Sequence, residues 1–167
     1  MILATDVQYN EHTALAAGVL FEDWQSDESY KCLVKPVCGI APYEPGAFYK
    51  RELPCILSLL EDLSEMPTTI VVDGYVTLGE DKRKGLGMHL YEALDEKVAI
   101  IGVAKQAFKD TPKECEVLRG DSSKPLYVTS AGVGFDEAVA SIVSMPGKHR
   151  IPVLLKKADQ LCRGVKG

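Results

Sequence analysis

The chain has 167 residues, 46% of them hydrophobic and 26% charged, the balance of a soluble globular protein long enough for one domain with a substantial core. Its net charge of −5 counts against a general nucleic-acid coating protein, though not against an enzyme that grips a polynucleotide through a local basic patch and a metal. No apolar run reaches membrane-span length and the start lacks a basic segment followed by an apolar one, so one cytoplasmic domain over residues 1–167, without a membrane partner, is expected.

Residues 1–5 (MILAT) read as an apolar strand that runs straight into Asp6. Asn10 marks a turn, residues 13–21 (TALAAGVLF) a second strand, and residues 29–37 (SYKCLVKPV) a third, the three forming an antiparallel meander. Pro36 places the third strand at a sheet edge, because proline cannot donate to a ladder on both sides. Residues 39–46 (GIAPYEPG) form a stiff loop in which Pro42 and Pro45 bracket Tyr43. A helix follows, with Leu53, Ile56, Leu57, Leu60 and Leu63 at helical spacing; Pro54 suits a first turn, which sets Glu52 at the helix entrance. Residues 68–75 (TTIVVDGY) hold a short strand of the kind covered on both faces, ending on Asp73 and Gly74. A loop rich in glycine and charge (77–85, TLGEDKRKG) leads into a helix carrying Leu86, Leu90, Ala93 and Leu94. Residues 98–103 (VAIIGV) are another buried strand, ending at Ala104 and Lys105.

In the remainder, a hairpin pairs residues 115–118 with 126–129. A helix then presents Phe135, Ala138, Val139, Ile142 and Val143 on one face, and a last helix from about Val153 uses Leu154, Leu155, Ala158 and Leu161. A meander followed by alternating helix and strand predicts an α/β fold. Its mixed sheet has five strands, three antiparallel and two parallel, with helices on both faces.

Acids at the carboxyl ends of such strands sit where open α/β sheets place their chemistry. Taken alone, each Asp is an ordinary turn residue after its strand. Together Asp6 and Asp73, from strand ends, and Glu52, from a helix entrance, are expected on one sheet edge, where their charge needs a cation. Oxygen ligands suit a hard dication, Mg²⁺ or Mn²⁺, that keeps waters for a phosphate substrate. Lys105, a solvated lysine by itself, would there stabilise charge developing on a phosphodiester. Tyr43, held by two prolines, is either a surface turn residue or a rigid wedge for the gap left by an extruded base. Lys82, Arg83 and Lys84 are a solvated run on their own and a phosphate grip beside a metal edge and a helix amino terminus.

Other chemistries find little support. His12, His89 and His149 are isolated, no Ser or Cys has a nucleophile context, and Gly132-Val133-Gly134 lacks the rest of a dinucleotide fingerprint. The five cysteines (Cys32, Cys38, Cys55, Cys115, Cys162) are scattered, which argues for small core residues in a reducing compartment and against a structural zinc.

In order along the chain, Asp6-Val7-x-Tyr9, Pro42-Tyr43-x-Pro45-Gly46 running on to Arg51-Glu52, Val72-Asp73-Gly74, Gly85-Leu86-x-x-His89 and Ile101-Gly102-Val103-Ala104-Lys105 resemble the endonuclease V family. Leu126-Tyr127-Val128-Thr129 and Ile151-Pro152 with Ala158-Asp159-x-Leu161 resemble its carboxyl-terminal portion. The resemblance implies a ribonuclease-H-like fold and a Mg²⁺- or Mn²⁺-dependent endonuclease that cuts DNA on the 3′ side of deoxyinosine. Single-stranded DNA or inosine-containing RNA are the alternative partners. It implies Asp6, Glu52 and Asp73 as the metal centre, Lys105 as a catalytic lysine, Tyr43 as the wedge, and Gly46, Gly74, Gly85 and Leu86 as the lining of a pocket for the flipped base. Three departures stand out: Glu80-Asp81-Lys82 replaces the family's His-Pro-Arg, Gly132-Val133 replaces a Gly-His pair, and Val76 replaces a pocket glycine, where it is expected to crowd the base. They leave two further readings, a non-cleaving nucleic-acid-binding member of the fold and a nuclease with a shifted substrate.

Overall fold

The computed structural model describes all residues except 11, 43, 46–48 and 165–167. Its elements run β1 (Ile2–Tyr9), β2 (Thr13–Phe21), β3 (Lys31–Cys38), α1 (Tyr49–Leu60), β4 (Thr69–Asp73), the short hairpin β5 (Thr77–Leu78) and β6 (Arg83–Lys84), α2 (Leu86–Ala93), β7 (Ala99–Ala104), β8 (Glu116–Val117), β9 (Leu126–Ala131), α3 (Phe135–Ser144) and α4 (Val153–Cys162). The meander forms as expected, with β1 antiparallel to β2 and β2 to β3, and β3, carrying Pro36, at the sheet edge. β4 and β7 then add parallel to β1.

Two expectations need correction. Among the described residues the main sheet has seven strands, in the order β3-β2-β1-β4-β7-β9-β8, not five. The extra pair is the β8–β9 hairpin, whose longer strand zips antiparallel onto β7. No helix separates β7 from the hairpin, so β9 meets β7 antiparallel without a crossover. The pattern of residues 115–129 shows a hairpin but not what its free edge joins. Helix α1 also begins at Tyr49, which keeps Glu52 in the first turn but puts Pro54 inside the helix. Both Pro54 and Lys50, whose carbonyl loses its helical partner to the proline ring, are exposed, so water can serve that carbonyl.

Alternation along the strands sorts the core into two layers. Leu3, Ile70, Val72 and Ile100 pack on Ile56 and Leu59 of α1 and on Leu86 and Leu90 of α2. Ile2, Ala4, Val71, Ile101 and Val103 pack on Ala138 and Ile142 of α3 and on Leu154 and Ala158 of α4. Helices therefore cover both faces. The α3 stripe is narrower than expected, since Val143 stays 48% exposed. Cys55, Cys115 and Cys162 are buried, and Cys32 and Cys38 lie exposed on β3. Among the described residues no helix is long and apolar enough to cross a membrane.

One close approach fixes the turn after Asp73. A Cβ on Gly102 would lie 2.6 Å from the Gly74 carbonyl oxygen and 2.8 Å from Thr129 Oγ1, so β7 leaves room for the turn only because it has glycine there. Thr129 Oγ1 accepts the Val76 N–H at 2.8 Å and anchors the far end of that turn. Thermal melts of Gly102→Ala and of Thr129→Val should each show a loss of about 1–3 kcal/mol, the first by overpacking and the second by orphaning a buried N–H. Wild-type stability in both would contradict this packing.

Candidate metal centre

The ladder between β1 and β4 ends at Ala4 opposite Val71. Two residues further along each strand stand Asp6 and Asp73, on the face that Ala4 and Val71 share, because side chains alternate with a period of two. On β7, Asp73 is level with Val103, and Lys105 lies two residues beyond on the same face. Its Nζ is 3.9 Å from Asp73 Oδ2. Period and register alone thus bring three sequence-predicted residues to one edge. The Val7 N–H donates to Asp6 Oδ1 at 2.9 Å and holds that carboxylate in place.

Glu52 approaches from α1, on the other face of the sheet. It is only 3% exposed, and its Oε2 is buried without a hydrogen-bond partner. Burial, then repulsion from Asp6 and Asp73, push its carboxyl well above the usual range. Glu52 therefore lies within the field of the two aspartates.

Asp159 is the residue that element-by-element reading missed. Helix α4 buries Leu154, Ala158 and Cys162 against the Asp6 face, which turns Asp159 and Cys162 toward Asp6. One donor atom from each of Asp6, Asp159 and Cys162 lies within 4.8 Å of the others. The Cys162 thiol donates to the Asp159 carbonyl at 3.1 Å, and Arg163 Nε donates to Asp159 Oδ1 at 2.9 Å. A carboxylate flanking the buried stripe of an amphipathic helix is commonplace, so only the Ala158-Asp159-x-Leu161 match pointed this way.

Negative charge is crowded here beyond what the chain neutralises. Burial, then Asp73, push the Asp6 carboxyl up to about 7. Burial also raises Asp73, against the pull of Lys105. Burial alone would raise Asp159, but Arg163, then Lys105 and a hydrogen bond with Asp6, hold it below the usual range. Burial followed by the Asp6 and Asp159 charges pushes the Cys162 thiol up to about 12, so it is a neutral neighbour.

The remaining predicted residues fall around this edge. Gly74, at φ +141°, makes the turn out of β4. Gly85 caps α2, at a point where a Cβ would come within 2.6 Å of the Tyr75 carbonyl oxygen, and Leu86 is buried. Lys82, Arg83 and Lys84 form the exposed end of the β5–β6 hairpin just before α2, where Arg83 pairs with Asp81 and Lys84 with Glu92. Val76 is fully buried among Leu86, Leu90 and Ile100, its methyl group filling the space where Gly87 lacks a Cβ. Its bulk is therefore taken up by the core. His89 stacks on Tyr49 with ring centroids 3.7 Å apart, the part of an ordinary helix histidine. Tyr43 and Gly46 lie outside the described residues.

Among the described residues the donor atoms that lie together within 4.8 Å are those of Asp6, Asp159 and Cys162, not of Asp6, Glu52 and Asp73, while Asp73 and Glu52 act on Asp6 through their charge. The carboxylate oxygens, one of them the orphaned Glu52 Oε2, suit a hard dication, and the neutral Cys162 thiol does not. The sign of the pH dependence follows. Carboxyls raised in the folded state keep protons that the unfolded chain releases from about pH 4, so metal-free stability falls as pH climbs toward 7. A dication replaces those protons and binds better as they leave. At a hundredfold excess over its dissociation constant, Mg²⁺ should add about 2.7 kcal/mol, roughly 5–10 °C in melting temperature, at pH 7.5. The shift should be much smaller at pH 5 and absent in Asp6→Asn. Equal shifts at both pH values would contradict the centre.

Comparison with known proteins agrees with this architecture. Residues 1–123 match the Endonuclease V family profile. The chain is 32% identical to the endonuclease V of Streptomyces coelicolor over 73% of its own length and 60% of that protein's. It is 29% identical to the Pyrococcus horikoshii endonuclease V over 98% of its length and 73% of that protein's. The chain thus spans only about three-fifths of several of the curated relatives it matches, 60–62% for those of Streptomyces coelicolor, Streptomyces avermitilis and Nostoc punctiforme. Among solved structures it superposes on the Streptomyces avermitilis endonuclease V with a TM-score of 0.71 at 28% identity, covering 98% of this chain and 79% of that one. It superposes on the Ciona intestinalis endonuclease V, crystallised with a DNA containing an inosine followed by a ribo-adenosine, with a TM-score of 0.80 at 20% identity, covering 98% and 84%. The fold is the ribonuclease-H-like one expected, and the chain belongs to the endonuclease V family.

Proposed function

We propose that this protein is a metal-dependent endonuclease that nicks DNA near deoxyinosine, in the repair of deaminated adenine. The observation that carries the reading is the convergence of Asp6, Asp73, Glu52 and Asp159 beside Lys105 at the carboxyl edge of the sheet. Family membership supplies the substrate class, and the Ciona protein's complex with inosine-containing DNA supports it.

Asp6 and Asp73, backed by Glu52 and Asp159, would hold Mg²⁺ or Mn²⁺, which when bound supplies an acidified water and offsets charge on the phosphodiester. The residues do the rest. Lys105, tethered by Asp73, presents its ammonium to the phosphate oxygens on which charge builds. Gly74 bares the backbone beside the centre, letting a nucleotide approach closely, and Gly46 serves the same purpose in the family pattern. Gly85, by contrast, is buried against the Tyr75 carbonyl and Leu86 in the core, so neither lines the base site as the resemblance implied. A cavity of about 430 Å³, lined in part by Tyr75, Lys82 and Thr129, adjoins this turn and gives room for an extruded base. Tyr43 would fill the gap the base leaves. Arg83 and Lys84, whose present partners are exposed acids, can exchange them for phosphates at little cost. Five free thiols fit a reducing, cytoplasmic setting.

Single strands bearing one deoxyinosine, one inosine or neither, incubated with Mg²⁺ or Mn²⁺, test the reading. Nicking near deoxyinosine, leaving a 3′-hydroxyl and a 5′-phosphate and abolished in Asp73→Asn, is expected. Tight binding without nicking would favour a non-cleaving member, and preference for the inosine strand a shifted substrate. Lys105→Ala should lower kcat by roughly 10²–10³-fold while keeping the Mg²⁺-induced rise in melting temperature. Loss of that rise would make Lys105 a structural support of the centre.

A further inference from the structure

Beside the acidic edge, on the face covered by α4, lies a cleft of whose lining the proposed chemistry uses only Lys105 and Asp159. Its volume is about 960 Å³, and its walls are residues 147–151, the first turns of α4 and residues 27–29. Lys105 and Ile151 line both this cleft and the pocket holding Asp6 and Asp73, so the two adjoin. In a chain of net charge −5, the cleft gathers Lys105, Lys148, Arg150, Lys156 and Lys157, with His149 beside them. Its acids are Asp27 and Glu28, next to Ser29, which accepts from Lys157 Nζ at 2.8 Å, and Asp159, which is engaged by Arg163. Helix α4 adds to the positive potential, since its first turn carries no acid and Pro152 provides no side-chain cap.

The basic wall is built into the fold. Arg119, only 5% exposed, donates Nη1 to the His149 carbonyl and Nη2 to the Met145 carbonyl. Arg150 Nη1 donates to the carbonyls of Lys105 at 3.2 Å and Pro125 at 3.3 Å. Gly120 has no room for a Cβ because the Lys148 carbonyl lies against it. A guanidinium buried on backbone carbonyls, without a carboxylate, is expensive to desolvate, and a loop left to solvent would have no need of one. These contacts hold Lys148 and the start of α4 at a set distance from Lys105.

We propose that this cleft carries the sugar–phosphate backbone of the substrate strand beyond the cut, with Lys148, Lys156 and Lys157 neutralising its phosphates. The proposal rests on the nuclease reading for the direction of the strand. The cavity proposed for the base adjoins the turn after Asp73 and the cleft lies on the α4 side of Lys105, so the strand crosses the carboxyl edge between them. Cleavage on the 3′ side of the recognised base makes the segment in the cleft the 3′ one.

The test uses the full chain and fluorescence anisotropy with an unmodified single strand of about 20 nucleotides, titrated over a range of salt without divalent metal. Each of Lys148→Ala, Lys156→Ala and Lys157→Ala should flatten the slope of log affinity against log salt by about 0.7, and the triple variant by about 2. Lys97→Ala, an exposed lysine elsewhere, should leave the slope unchanged. Melting curves of the triple variant should match those of the wild type. With a deoxyinosine strand and Mg²⁺, the triple variant should raise KM, and trimming the strand just 3′ of the cut should erase the difference from wild type. An unchanged slope, or an equal defect on trimmed and full strands, would overturn the proposal. If the wild type nicks nothing, the nuclease reading falls while the salt slope still decides whether the cleft binds nucleic acid.

Discussion

Repulsion among buried carboxylates governs this structure. Two parallel strands and a helix on each face deliver Asp6, Asp73, Glu52 and Asp159 to one end of the sheet, where Asp6 and Glu52 are buried, Asp73 is part-exposed, and Lys105 and Arg163 offset only part of the negative charge. Such a cluster is unfavourable unless protons or a cation share it. The raised carboxyls and the orphaned Glu52 oxygen are the marks of that conflict. A fold that keeps it has placed stability second to chemistry at this edge.

The neighbouring features follow from holding that end of the sheet in register. Gly102 lets β7 pass close beneath the turn after Asp73, Thr129 pins the far side of the turn, and Val76 packs into the space that Gly87 leaves open. The bulk of Val76 is thus accommodated by the glycine at position 87 and absorbed by the core. Lys82, Arg83 and Lys84 on one face and the lysines near α4 on the other are the positive groups that flank the centre.

Much of this was legible in the sequence because it rests on short-range rules. The period of two along β1, β4 and β7 fixes which face Asp6, Asp73 and Lys105 share, and the runs MILATD and TIVVDG already end on the acids. Pro36 marked the edge strand correctly. What stayed hidden depended on which element packs against which. The hairpin's attachment to β7 is a tertiary choice that residues 115–129 do not encode locally. Asp159 looks like any polar neighbour of a buried stripe until α4 docks on β1. Pro54 was read by the first-turn rule, and the packing of α1 on the sheet carries the helix one turn further back despite the cost of an interior proline.

The most direct test is anomalous diffraction from crystals of this protein soaked in Mn²⁺. The account predicts a manganese peak at the carboxyl edge of the sheet, held by Asp6 and Asp73 with Asp159 and Glu52 in support. A map with no peak there at saturating Mn²⁺, and the four carboxylates still paired through protons, would contradict it.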